Sequence, residues 1–276
     1  MTNWLIADLR TRVRFNRLFY TLGLSKIFDK KELVLKKSEI IRFTKREQFM
    51  MKLYANSPQE FQYYMYLKND VQSTDIVLRQ MRKTLHNGSV FVDIGANSGI
   101  YTLPASILVG KTGKVFSFEP GRAYQRLHNN VELNKMTNVK TYNFALGNRN
   151  EEKIFHNTPI DGESSILNMI CPTADVPVNV CTLDSILKKK VDMIKIDVEG
   201  FEKEVLLGSK DIVRRYKPVI IFEFVYPILY LKNKKYNEVF DLLKDYGYKK
   251  FTDLDTGLEV KDYRELNSRF ANVCAE

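Results

Sequence analysis

The chain has 276 residues, 44% of them hydrophobic, and a formal charge of +10, enough for one large α/β domain or a domain of about 190 residues with an extension. No apolar run approaches the roughly 18–20 residues of a membrane span, and MTNWLIADLR lacks the basic and long apolar regions of a signal peptide. Cys171, Cys181 and Cys274 have neither CxxC nor Cys/His metal spacing, so a reduced, cytoplasmic protein is expected.

The charge is unevenly spread. Residues 1–85 hold 17 Lys+Arg against 8 Asp+Glu, a net +9, which leaves only +1 for residues 86–276. A basic arm over 1–56 and a main domain over 57–276 are therefore expected. In the arm, Arg10, Arg12, Arg14 and Arg17 interleave with apolar residues such as Leu5, Leu9 and Val13 near helical spacing. Such a helix suits an anionic membrane surface beside a lipid-linked substrate, or it covers the main domain or a second subunit.

Pro58 is placed to begin a helix carrying Phe61, Tyr64, Met65 and Leu67, and Ile76, Val77, Met81 and Leu85 are spaced for a second one ending at Asn87-Gly88. The stretch VFVDIGANSGIYTL, Val90–Leu103, then reads as strand, glycine turn and helix. A turn of this kind brings backbone N–H groups and a helix N-terminus to a nucleotide-like ligand. Beyond it, strands at 90–94, 115–119, 139–144, 192–197 and 218–224 alternate with helices near 100–109, 122–134, 201–214 and 235–246, the pattern of a mainly parallel sheet with helices on both faces.

Ligands of such sheets bind beyond the carboxyl ends of the strands. That places Asp93–Gly99, Glu119-Pro120, Ala145-Leu146 and Asp197–Gly200 at one rim. Glu119, at the end of the strand in VFSFEP, is positioned to accept hydrogen bonds from two ribose hydroxyls. A dinucleotide fingerprint would need glycines where Asn97 and Ile100 stand, and Gly110-Lys111-Thr112 lacks the earlier glycine of a phosphate loop. A ligand with a ribose and no pyrophosphate remains, which S-adenosylmethionine fits.

VFVDIGANSGIYTL, FEP, ALGN (Ala145–Asn148), TLDS (Thr182–Ser185) and above all KIDVEGFE (Lys195–Glu202) resemble the FkbM-type S-adenosylmethionine-dependent methyltransferases over roughly residues 75–225. The resemblance implies a class I, Rossmann-like sheet of seven mostly parallel strands with the last antiparallel, here with a basic helical N-terminal extension. It also implies O-methylation, often of a sugar hydroxyl in a glycan, glycolipid or glycosylated natural product. On this resemblance Asp93, Gly95, Ala96, Asn97, Gly99, Tyr101 and Thr102 would surround the methionine part of the cofactor, Glu119 and Pro120 its ribose, and Ala145 and Leu146 its adenine, with Asp197 close to the methyl.

Methyl transfer to a hydroxyl requires in-line alignment and a base. Asp197 and Glu199, at i and i+2 on an emerging strand, share a face if the strand is regular. Asp197 is the first candidate base and Glu199 the second. Two carboxylates so close raise one pKa or hold a divalent cation between them. Glu223, near the end of VIIFEF, points to the same rim, while Lys195 pairs with Asp197 by its alternating position, and Glu202 and Glu204 read as solvated first-turn residues. The long segment 148–184 is expected to lay short strands across the open side, with His156, Ser164 and Ser165 near the substrate. His156 is a further candidate base, and His128, in RLHNNVELN, is read as structural.

A second function class is RNA ribose or other nucleic-acid methylation using the basic arm, with Lys195, Asp197, Lys217 and Glu223 a poor imitation of a Lys-Asp-Lys-Glu set. The Asn/Asp-Pro-Pro-aromatic motif of base-amino methylation is absent where DVEG stands. A non-catalytic cofactor-binding module is the third.

Overall fold

The computed structural model describes residues 39–42, 48–52, 75–157, 174–226, 229, 235–268 and 270–276. The arginine-rich helix, the helix expected after Pro58, and Ser164, Ser165 and Cys171 lie outside them.

Twelve strands are named among the described residues: β1 (Glu39–Arg42), β2 (Gln48–Met51), β3 (Val90–Ile94), β4 (Lys114–Phe118), β5 (Val139–Tyr142), β6 (Ala145–Leu146), β7 (Glu151–Asn157), β8 (Ala174–Cys181), β9 (Met193–Ile196), β10 (Val219–Val225), β11 (Phe251–Asp253) and β12 (Phe270–Ala275). The helices are α1 (Ile76–Thr84), α2 (Thr102–Val109), α3 (Ala123–Leu133), α4 (Leu183–Ile186), α5 (Glu202–Leu207), α6 (Lys210–Tyr216) and α7 (Glu238–Asp245). Seven strands form one sheet in the order β5-β4-β3-β9-β10-β12-β11. Only β12, last in the chain, runs antiparallel to its neighbours β10 and β11. This is the class I sheet that the motifs imply.

The two faces follow from the period-two alternation of side chains. Val92, Ile94, Ile194, Ile196, Ile220, Phe222 and Val273 belong to one core, which α4–α7 cover. Phe91, Val115, Met193, Ile221 and Cys274 belong to the other, under α1, α2 and α3. Strands buried on both faces read as continuous apolar runs, as VIIFEFV does apart from one acid.

Three boundaries differ from the sequence reading. The helix expected over 201–214 is split into α5 and α6. A side chain at Gly208 would lie 1.8 Å from the Gly147 carbonyl oxygen, and Asp184 restarts the helix by accepting from Asp211 N–H at 2.9 Å and Ile212 N–H at 3.0 Å. The strand expected over 139–144 ends at Tyr142, because Ala145 and Leu146 leave the main sheet to pair with Val180 and Cys181 in a separate β6-β8-β7 sheet. Finally β1 and β2, inside the expected arm, form an antiparallel pair whose Phe49 and Met51 are buried in the α1–α3 core.

Asn87–Ser89 and Gly110–Thr112 are turns, as expected, with Gly88 at φ 92° and Gly110 at φ 63°. No helix among the described residues is long and apolar enough to cross a membrane.

Candidate active site

Register places the polar residues of the site in rows on the α1–α3 face. Ser117, Asp93, Lys195 and Ile221 pair laterally across β4, β3, β9 and β10. Alternation sets the next row toward the carboxyl ends, with Gly95, Asp197 and Glu223. Asp93 is fully buried and accepts from Thr102 Oγ1 at 2.7 Å, while Thr102 Oγ1 also lies 2.8 Å from Ser117 Oγ. Burial raises the Asp93 pKa, against the opposing pull of Lys195. Its other oxygen, Oδ1, has no hydrogen-bond partner among the described residues.

The KIDVEGFE segment supplies the acids by a turn rather than a strand. β9 ends at Ile196, and Asp197 N–H still bonds the Ile94 carbonyl at 2.9 Å. The chain then turns through Glu199 at φ 52° and Gly200 at φ 96°. The i, i+2 rule of a regular strand therefore does not place Glu199, yet carboxylate oxygens of Asp197, Glu199 and Glu223 all lie within 4.8 Å of one another. Gly95 permits this approach: a Cβ there would sit 1.8 Å from the Asp197 carbonyl oxygen.

The cluster's charge is compensated from within. Lys195 Nζ, its side chain 3% exposed, lies 2.7 Å from Asp197 Oδ2 and 4.5 Å from the centre of the Tyr101 ring. Burial opposes its charge, but the fields of Asp197 and Asp93 outweigh burial and raise its pKa. Glu223 is pushed well above the ordinary carboxylate range, first by burial and then by the charge of Asp197 and a hydrogen bond to it. Burial likewise raises the Tyr101 phenol, with the negative field of Asp75 and Asp197 behind it. The three carboxylates also lie close enough together to hold a cation, and Lys195 beside Asp197 supplies positive charge at the same place.

Glu202 corrects the sequence reading. It is buried rather than solvated, accepts from Gly200 N–H at 3.0 Å and ties down the acid-bearing turn. Burial, reinforced by the field of Asp197, pushes its pKa to about 7.

Beside this cluster opens a cavity of about 600 Å³ of empty space, part of it solvent. Gly95, Asn97, Glu119, Pro120, Ala145, Leu146, Asp197 and Glu199 line it, as expected from sequence. Phe118, Val198 and Phe201, apolar members of the FEP and KIDVEGFE motifs, add walls, and Phe155 of β7 adds one that no motif announced. Only the alternation of β7 hinted at Phe155. Asp93, Ala96, Gly99, Tyr101 and Thr102 are not among the lining residues. Asp93, Tyr101 and Thr102 lie beneath, holding the loop and Lys195.

The loop's amides are mostly engaged by the protein itself. Gly95 and Ala96 N–H both donate to the Phe118 carbonyl, at 2.9 and 3.1 Å, Gly99 N–H donates to Ala96, and Asn97 N–H donates to Glu119 Oε2 at 2.7 Å. Asn97 does so at φ 48°, a conformation that asparagine tolerates better than most residues. Contrary to the expectation of an N–H cradle, the turn offers little to a phosphate. Instead it fixes the carboxylate of Glu119 at the cavity wall. An apolar slot, one fixed acid for a diol and a deeper orphaned carboxylate oxygen on Asp93 fit an uncharged nucleoside joined to an amino-acid chain, as in S-adenosylmethionine.

His156 is not brought to the acids. Its neighbour Phe155 lines the cavity, so His156 takes the opposite face of β7 and pairs through Nδ1 with Asp175 Oδ1 at 2.8 Å. His128 stacks on Tyr124 at 5.9 Å and is structural, as read.

The sequence profile of the methyltransferase FkbM domain matches residues 93–250. "Methyltransferase 1" of Beauveria bassiana is 27% identical over 148 residues, which cover 45% of this chain and 59% of that protein. A probable cobalt-precorrin-6B C(15)-methyltransferase of Sulfurisphaera tokodaii is 38% identical over 64 residues, covering 23% of this chain and 33% of that one. The chain thus matches from a third to about three-fifths of the length of these curated relatives. Among solved structures, a methyltransferase FkbM from Methylobacillus flagellatus aligns at a TM-score of 0.47 and 15% identity, covering 79% of this chain and 54% of its own. A putative rRNA methylase from Clostridium thermocellum aligns at 0.46 and 15%, covering 72% and 92%. With more than half of its length matched by the domain profile, and that match spanning the Gly95 loop, Glu119 and the Asp197–Gly200 turn, the chain belongs to the methyltransferase FkbM family.

Proposed function

We propose that the chain is an S-adenosylmethionine-dependent O-methyltransferase acting on a hydroxyl of a sugar in a glycan, glycolipid or glycosylated natural product. The observation that carries this reading is the meeting of two features at Gly95: the Glu119-walled cavity on one side and the Asp197–Glu199–Glu223 carboxyl cluster on the other. S-adenosylmethionine supplies the sulfonium-bound methyl group. Glu119, held by Asn97 N–H, grips the ribose hydroxyls, and the walls from Phe118, Leu146 and Phe155 exclude water from the nucleoside. Asp197, oriented by Lys195, takes the proton of the attacking hydroxyl. Burial and the charge of Asp197 raise the Glu223 carboxyl and so disfavour a further negative charge in the site, while Glu199 on its left-handed turn orients a neighbouring hydroxyl. The basic residues before position 86 support peripheral contact with an anionic membrane at the cytoplasmic side, next to a lipid-linked acceptor.

The test is methyl-labelled S-adenosylmethionine incubated with separated glycan, lipid and RNA fractions of the source cells. Label is expected in the glycan or glycolipid fraction and lost in Asp197→Asn, which keeps the fold. Label confined to RNA would replace the sugar reading by the nucleic-acid one.

A further inference from the structure

Asn130 in α3 and Asn134, which caps its carboxyl end, use their side-chain amides on a strand edge. Asn134 Oδ1 accepts from Met50 N–H at 2.7 Å and its Nδ2 donates to the Met50 carbonyl at 2.6 Å. One helical turn earlier, Asn130 Oδ1 accepts from Lys52 N–H at 2.8 Å. In an antiparallel pair, residues i and i+2 present both backbone groups to the same side, so Met50 of β2 and Lys52 just past its end turn theirs away from β1, while the Phe49 and Met51 side chains are buried in the core. Four helical residues rise about 6 Å and two strand residues about 6.8 Å. The two amides therefore match the edge in spacing and stand in for a missing third strand.

Asn130 also reaches in the other direction. It is fully buried, and its Nδ2 donates to the carbonyl of Ser98, inside the Gly95–Gly99 loop, at 2.9 Å. One side chain therefore joins the edge of β2 to the loop that holds Glu119. The apolar contacts run the same way, since Phe49 and Met51 share a core with Ala96 and Ile100 on the loop and with Leu127 and Val131 of α3. The Ser98 hydroxyl, fully buried, has no hydrogen-bond partner among the described residues, so the backbone contact from Asn130 is the polar tie shown for this residue's carbonyl.

We propose that the β1–β2 pair is a working part of the donor site, with Asn130 as the positioning residue that transmits its docking to the Gly95–Gly99 loop. In chain order the pair stands between Arg10–Arg17 and the Gly95–Gly99 loop. Loosening the pair then weakens the hold on the donor, and by linkage the donor tightens the pair.

This inference rests on the reading that the cavity binds S-adenosylmethionine. The test uses S-adenosylhomocysteine as probe, with calorimetry and amide hydrogen exchange on the full chain. Asn134→Ala removes the hold on Met50 without touching Ser98. It is expected to weaken the probe by about fivefold or more and to speed exchange at Gly95–Gly99, with β10–β12 unchanged. In the unsubstituted protein, saturating probe is expected to slow exchange at Met50 and Lys52, which do not line the cavity. If the probe binds, yet Asn134→Ala binds it equally and Met50 and Lys52 exchange at the same rate with and without it, the inference is overturned. If the unsubstituted protein does not bind the probe, the donor reading itself falls. Should Asn134→Ala fail to fold, the exchange measurement on the unsubstituted chain decides alone.

Discussion

Glu202→Gln isolates the cost of keeping a carboxyl under the acid-bearing turn. Glu202 is 4% exposed, and its pKa rises from 4.5 to about 7. Between those values the folded state keeps a proton that the unfolded chain has released, so stability falls as pH rises through the window. At 1.36 kcal/mol per unit, the loss is about 3 kcal/mol once the pH is above 7. Glutamine carries no charge in either state, and its carbonyl oxygen still accepts from Gly200 N–H. Glu223, also raised, acts in the same direction in both proteins and largely cancels in the comparison. The stability gained by Glu202→Gln over the parent, measured by urea unfolding from pH 4.5 to 8, is therefore expected to grow by about 3 kcal/mol across the range. Parallel stability curves would refute the buried, neutral-leaning Glu202.

Other substitutions probe the two sides of Gly95. Glu119→Ala is expected to weaken S-adenosylmethionine more than tenfold in calorimetry, about 1.4 kcal/mol, since it removes the ribose acceptor and leaves Asn97 N–H without its partner; unchanged affinity removes Glu119 from the ribose. Gly95→Ala meets φ 79° and the Asp197 carbonyl together. The conformation alone costs about 1–2 kcal/mol, so both a lower melting temperature and loss of donor binding are expected, and a variant that melts and binds like the parent contradicts the close approach. Lys195→Met leaves Asp93 and Asp197 without their cation and is expected to destabilise by about 3–5 kcal/mol in urea. Adding Asp197→Asn should restore part of that loss; additive losses would show that the two residues are not coupled.

Much of the architecture was legible because strands buried on both faces read as short, near-continuous apolar runs. VFVDI, MIKI and VIIFEFV show it at a glance, and the charged residues that interrupt or follow them, Asp93, Lys195 with Asp197 beyond it, and Glu223, already mark the polar row. The break between α5 and α6 was not legible, because nothing local in LGSKD shows that Gly147 will press against Gly208. The burial of Glu202 was hidden for the same reason. An acid at a helix start is usually solvated, and only the strands and helix around it remove the water. His156 had the right chemistry, but β7 carries it on the face away from the cavity.

By itself the sequence determined the sheet's strands, the rim where a ligand would lie and the acids at the strand ends, Glu119, Asp197 and Glu223, since each rests on local periodicity or on residue type at a strand end, whereas the turn that brings Glu199 to them was set by the tertiary structure. The tertiary structure decided how charge is shared among them. It set Lys195 against Asp197, raised the Glu223 and Glu202 carboxyls by burial, turned the loop amides onto Phe118 and Glu119, and tied β2 to that loop through Asn130. Those outcomes depend on which groups lose water and which meet across segments distant in the chain, and neither is a property of any one stretch of residues.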